Sequence, residues 1–306
     1  MSNMACLMER SSDRTLATTA PHSKASGIDS LSIAASGVLR VPLALLAATL
    51  VTALGVRASL LTTSGALAAV AVGTALVGFG GWWTGLLIVV FFASSSALSR
   101  LSREIQPQIR AAKGERRDMV QVLANGGVPA LCAMGAGLAQ DPSPWLAAAG
   151  GGVAAACADT WATEIGRTSA APPRMITTWR RAASGSSGAV SAKGTFGALL
   201  GAAVIALAAA SGTAMDWWLP DRSVVAVLAA VTVAGFAGAL TDSLLGATVQ
   251  AQYWCPRCRA PTEQPVHHCG IHATLIRGVP FVTNDVVNAL SIAAAAALAW
   301  FMSPWP

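Results

Sequence analysis

Leu146-Ala-Ala-Ala-Gly-Gly-Gly-Val-Ala-Ala-Ala-Cys-Ala-Asp-Thr-Trp-Ala-Thr-Glu-Ile-Gly166 decides how the chain is read. A run of small apolar residues, Leu146 to Ala156, ends in Asp159 and Glu164. Ionisable groups at membrane depth are costly, by about 2.5–3.5 kcal/mol each on insertion scales, and mark functional sites by default. Two later stretches repeat the logic. Thr241-Asp-Ser-Leu-Leu-Gly-Ala-Thr-Val-Gln250 sets Asp242 inside an apolar segment, and Asn284-Asp-Val-Val-Asn288 opens the last one.

The rest of the 306-residue chain fits a membrane setting. It is 54% hydrophobic and 11% charged, with a mean hydropathy of +0.57. A soluble domain carries about 25% charged residues. The expected fold class is therefore all-α, a polytopic bundle in the lipid bilayer. The net charge of +6 does not signal nucleic acid, because the basic residues fall in loops, where topology explains them. The six cysteines are not a disulfide framework. Cys132 and Cys157 lie in apolar segments, while Cys255, Cys258 and Cys269 share one loop. Residues 1–36 read as a disordered tail. They precede a transmembrane domain over 37–306, which includes a Cys/His loop at 251–285. Glu9, Asp13 and Asp29 argue against an organellar transit peptide.

With about 20 apolar residues per span, roughly seven or eight spans are expected, two of them joined by a tight turn at Gly80-Gly81. The loops Arg100–Asp118, Arg167–Lys193 and Ala251–Asp285 carry most of the basic residues. The positive-inside rule places all three on the cytoplasmic side. Small-residue stripes, Gly194/Gly197/Gly201 and Gly235/Gly238/Asp242/Gly246, suit close helix packing. A packing face does not need the carboxylate of Asp242.

That topology gathers the three acidic stretches at the cytoplasmic end. Converging carboxylates repel unless a cation sits between them. Mg2+ held by one or two carboxylates plus substrate phosphates answers this, with Asp159 and Asp242 as ligands. On a regular helix Asp159 and Glu164 lie about 140° apart. Glu164 therefore joins the ion only if the helix breaks, and otherwise faces another partner such as an arginine. Interhelical hydrogen bonding and helix-end capping are the alternative for all these acids.

Two loops add candidates. Ser184-Gly-Ser-Ser-Gly-Ala-Val-Ser-Ala-Lys-Gly-Thr195 offers inward-turning amides, hydroxyls and Lys193 just before a helix N-terminus, with Arg180 and Arg181 upstream. It can cradle phosphate, without matching the P-loop pattern, or serve as a plain linker. Cys255-Pro-Arg-Cys258 forms a knuckle that Cys269 with His268 or His272 completes as a tetrahedral, structural Zn2+ site. Free thiols or a redox pair are the alternatives.

Taken in order, these motifs resemble those of the integral membrane family of transmembrane protein 19 and the plant phytyl phosphate kinases, over roughly residues 40–300. The resemblance implies a kinase that turns a prenyl monophosphate into the diphosphate with CTP or another nucleoside triphosphate. On that reading Asp159, Glu164, Asp242 and Lys193 are catalytic. Arg180, Arg181, Ser187, Gly188, Ser191, Thr195, Asn284, Asp285 and Asn288 bind the phosphates. The isoprenoid chain lies among the helices. The chain departs from the pattern at Ser184-Gly-Ser-Ser-Gly-Ala-Val-Ser191, where the family has a Gly-Thr-Asn-Gly-Gly-Val-Ser type of stretch. A secondary transporter of a small or lipid-linked solute is the rival, since polar residues inside apolar spans also mark solute paths. Acids gathered toward one side favour the enzyme.

Overall fold

The computed structural model describes residues 27–105 and 116–303. Residues 1–26 of the expected tail, and Arg110 and Lys113 of the first basic loop, lie outside the described residues. The chain divides into the units Met1–Ser36 and Gly37–Pro306. Helix α1 (Gly27–Arg57) opens ahead of the expected Gly37 boundary. Then come α2 (Thr63–Ile105), α3 (Met119–Leu138), α4 (Ser143–Arg167), α5 (Ala192–Ala214), α6 (Val224–Thr248) and α7 (Asn284–Met302). The expected all-α bundle is found.

Six of these helices are long and apolar enough to cross a membrane; α4 is the exception. The reason is its position. Ala147 to Ala158 are all buried. Its three consecutive glycines meet three different neighbours. A Cβ on Gly150 would stand 2.9 Å from Trp218, on Gly151 2.5 Å from Ala299, and on Gly152 3.2 Å from Pro129. A helix enclosed on every side by protein needs small side chains rather than lipid-facing leucines. Within a bilayer close backbone approach is what drives helices together. By contrast α1 turns Leu46, Leu50 and Leu54 outward and buries little beyond Ala44 and Ala48.

Helix α2 is two passes. At Gly81 the backbone leaves the helix (φ 84°, ψ 169°). The chain folds back there, so that a Cβ on Gly85 would stand 2.3 Å from Val77. Arg100, far along the second half, donates Nη2 to the Ala58 carbonyl just before the first, at 2.9 Å. The tight turn expected at Gly80-Gly81 is this reversal.

The two ends of the bundle differ. At one end Trp83 packs on Trp217 with centroids 5.5 Å apart, and Trp145 on Trp300 at 4.5 Å. Trp83 donates to the Ala208 carbonyl at 2.8 Å and Trp218 to Thr84 at 3.0 Å, so these two indole N–H groups are satisfied within the protein. Tryptophans collect where helices leave the hydrocarbon. At the other end lie Arg100, Arg116 and Arg117, the two later basic loops and two small sheets. Strands β1 (Arg174–Met175) and β2 (Ala189–Val190) pair antiparallel. The Cys/His loop is more ordered than a bare loop. Strands β3 (Gln252–Cys255), β4 (Ala260–Thr262) and β5 (Thr274–Arg277) form an antiparallel sheet in the order β4-β3-β5.

Candidate functional site

Helices α4 and α6 run parallel. Gly235 packs on Ala154, and a Cβ on Gly238 would stand 2.5 Å from the Ala155 Cβ. One helical turn further toward the basic end, each helix presents its carboxylate. Asp159 follows Ala155 by four residues and Asp242 follows Gly238 by four. The same step along two parallel helices sets both acids at one level, and both are half-buried. Helix α7 runs the other way and closes this level. Ser291 Oγ donates to Asp242 Oδ2 at 3.3 Å. Asn288, with its amide nitrogen toward the carboxylate, donates to the same oxygen at 2.9 Å. Asn284 and Asp285 form the first turn of α7, about one turn nearer the basic end than Asn288, behind the Thr283 cap.

Glu164 faces elsewhere. Ser99 of α2 donates to its Oε1 at 2.9 Å, Ser102 donates to Oε2, and Arg167 lies 3.5 Å from Oε1. The helix is not broken between Asp159 and Glu164, so the angular separation of the two acids holds. Glu164 fastens α4 to α2.

The Gly/Ser loop is pressed against the end of α6. Gly188 has φ +80°, and a Cβ there would stand 2.3 Å from the Ala247 nitrogen. Only glycine meets both conditions, a left-handed backbone and a backbone neighbour at that distance. Ser191 caps α5, accepting from the Gly194 amide at 3.1 Å, so its hydroxyl has a structural task. The Thr195 amide starts the α5 ladder, donating to the Ser191 carbonyl at 2.8 Å. Lys193 is exposed and donates to the Thr168 carbonyl at 3.2 Å. Arg180 and Arg181 are exposed beside β1.

Ser187 is the loop's anchor, and three residues that a sequence reading passes over hold it. Its Oγ donates to Glu263 Oε1 at 2.5 Å and accepts from Gln250 Nε2 at 3.0 Å. Gln250 also donates to Glu263 at 3.2 Å. Arg277 Nη2 donates to the Ser187 carbonyl at 3.3 Å and to the Gly246 carbonyl at 3.0 Å. Burial holds the Arg277 guanidinium below its usual value. Glu263 and Arg277 look like solvated loop charges in the sequence, and Gln250 like a helix end.

Among the described residues, the group of three or more side chains that can hold a metal ion is Cys255, Cys258, His267 and Cys269, with ligand atoms within 4.8 Å of one another. Two of the expected ligands need correction. His268 and His272 are exposed and outside the group, and His267 takes the fourth place. The turn decides this. The His267 amide donates to the Ile271 carbonyl at 3.0 Å and Gly270 turns the chain at φ +79°. That turn carries His267 Nδ1 to 3.2 Å from Cys269 Sγ, with the His268 ring tilted at 44° and its centroid 3.8 Å away. The imidazole hydrogen bond draws the Cys269 thiol down to about 6, while Cys258, bonded to Cys269, is raised to about 11.

Comparison with known proteins follows the fold. A plant relative, Protein PGR of Arabidopsis thaliana, is 30% identical over 233 residues, 69% of this chain and 78% of its own. An uncharacterized membrane protein of Methanocaldococcus jannaschii is 32% identical over 188 residues, 61% of this chain and 74% of that one. No solved structure matches. The model of the family described as integral membrane protein DUF92 matches residues 46–296, and the chain belongs to that integral membrane family.

Proposed function

We propose that the protein is a membrane-embedded prenyl-phosphate kinase whose chemistry takes place at the basic end of the bundle. The observation that carries this is that Asp159 and Asp242 stand at one level of α4 and α6, each one turn past the Ala155–Gly238 contact and half-buried. Two carboxylates side by side repel. The Asn288 amide nitrogen and the Ser291 hydroxyl both donate to Asp242 Oδ2 and orient that carboxylate. An all-oxygen set of one or two carboxylates suits Mg2+, which takes its remaining ligands from phosphates and water. Bound there, Mg2+ offsets the negative charge of the two phosphate groups that must approach each other.

The chain's own residues do the rest. Asn288 and Ser291 fix the Asp242 carboxylate. Gly188 brings the Gly/Ser loop down onto Gly246 and Ala247 of α6, about one turn beyond Asp242, and Lys193 adds positive charge at the same end of the bundle. Arg180 and Arg181 supply positive charge at the approach. An oxygen of the prenyl monophosphate attacks the γ-phosphorus of the nucleoside triphosphate. The bond to the leaving nucleoside diphosphate breaks, and the lipid diphosphate forms. The attacking group is already ionised at neutral pH, so no strong general base is required. The apolar flanks of the helices keep the isoprenoid chain in the bilayer. The positive-inside rule puts the basic end in the cytoplasm, where nucleotide is available. Cys255, Cys258, His267 and Cys269 hold a structural Zn2+.

The test is direct. Purified protein is given phytyl or geranylgeranyl monophosphate, Mg2+ and each of CTP, ATP, UTP and GTP, and lipid diphosphate is measured by mass spectrometry. The expected product disappears with EDTA and in Asp159→Asn protein that still inserts and folds. Wild-type turnover in Asp159→Asn would remove that carboxylate from the mechanism. Absence of product with every pair would move the weight to a carrier of a lipid-linked solute.

A further inference from the structure

The strands of the Cys/His segment are three or four residues long, and the sheet leaves Leu275 and Ile276 exposed. Segments below about 40 residues usually need a metal or disulfides to hold a fold. Here the thiols are unlinked. The Cys255 and Cys269 sulfurs lie 3.6 Å apart, against the ~3.8 Å edge of a tetrahedron with zinc–sulfur bonds of about 2.3 Å. The Cys258 amide points at Cys255 Sγ at 3.4 Å, as in a metal knuckle. Three thiolates and one imidazole in that arrangement select zinc.

The ligands sit in two turns. Cys255 and Cys258 flank the β3–β4 turn, where Cys255 pairs with Ala260. His267 and Cys269 sit in the next, closed by the Val266–His272 bridge. Glu263 lies between the two turns and grips Ser187 Oγ. Arg277 reaches the same loop from β5, and Gln250 from just before β3. Residues in or next to each strand of the sheet, Gln250 before β3, Glu263 after β4 and Arg277 in β5, therefore hold Ser187 of the Gly/Ser loop. A single ion held by Cys255, Cys258, His267 and Cys269 would tie both turns together on either side of Glu263.

We propose that the zinc ion is a latch. By joining the two turns on either side of Glu263, it holds the Gly/Ser loop down on the end of α6, so that order in the loop depends on zinc occupancy. The inference rests on the zinc reading above and is independent of the lipid substrate.

Purified protein, prepared without chelator, is analysed for metal by mass spectrometry and for backbone hydrogen exchange over residues 183–191. One zinc per chain is expected. Stripping zinc with 1,10-phenanthroline, or Cys258→Ser, should raise exchange in the loop by about tenfold or more and leave α4 and α6 protected. Glu263→Gln should keep the zinc and still loosen the loop, which separates the latch from collapse of the sheet. Protein without zinc would overturn the metal reading. Zinc present, with loop exchange unchanged on stripping and in Glu263→Gln, would leave a metal site and overturn the latch.

Discussion

Gly185 and Gly188 make a matched pair for testing how the loop is seated. Both have a left-handed backbone, φ +83° and +80°. Around Gly185 a Cβ would meet nothing within 4 Å, whereas on Gly188 it would meet the Ala247 nitrogen at 2.3 Å and Cα at 2.4 Å. Alanine at Gly185 therefore costs only the left-handed conformation, about 1–2 kcal/mol. Alanine at Gly188 costs the same and adds an overlap with helix backbone, which cannot step aside. Overpacking of this kind adds about 1–3 kcal/mol. Lifting the loop relieves it, at the expense of the Ser187 bonds to Glu263, Gln250 and Arg277. The extra strain corresponds to about 5- to 150-fold in the opening equilibrium. Hydrogen exchange over residues 183–191 should thus rise in Gly188→Ala well beyond Gly185→Ala, with prenyl-phosphate turnover lost in the first and largely kept in the second. Equal exchange in the two variants would refute the seating of Gly188 on α6.

The ligand assignment and the bundle core give two further tests. His267→Ala should lose the zinc while His268→Ala and His272→Ala retain it, measured as metal per chain; loss in either exposed histidine variant would contradict the observed group. Gly151→Ala sets a Cβ 2.5 Å from Ala299 and should destabilise the fold by about 1–3 kcal/mol in detergent melts, while Gly127→Ala, with nothing within 4 Å, should be neutral or better.

The helices were legible because apolar length is a local property, and the reversal at Gly81 because two glycines in sequence mark a place where a helix can stop. The central place of α4 is half-legible. Alanine and glycine announce close neighbours, but average hydropathy underrates a helix that meets protein instead of lipid. The acids on α4 and α6 could be ranked from sequence, since each interrupts an apolar run. Their common level could not, because it depends on Ala155 meeting Gly238, a register between helices that no local pattern encodes. His267 and His268 are neighbours in the chain and equivalent on paper. A turn with Gly270 left-handed separates them, one buried and one exposed. Glu263 carries no local signal at all: a single acid in a polar loop reads as solvated until its partner, 76 residues away, is known.

The two acids of α4 illustrate how one helix divides its work. Both sit past the apolar run and both are half-buried. Five residues separate them, which on an unbroken helix turns one away from the other. Glu164 spends its oxygens on two α2 hydroxyls and Arg167, and so has a complete structural account. A buried carboxylate supplied with donors in this way is stable as a strut. Asp159 instead follows the stripe that packs on α6, one turn past the Ala155–Gly238 contact, at the level of Asp242. One turn earlier the same interface is filled by Ala155 and Gly238, small residues without a charge. On the proposed function, Asp159 and Asp242 are where the chemistry is expected, and aspartate-to-asparagine substitutions, which keep side-chain size, test the function with little disturbance of the bundle.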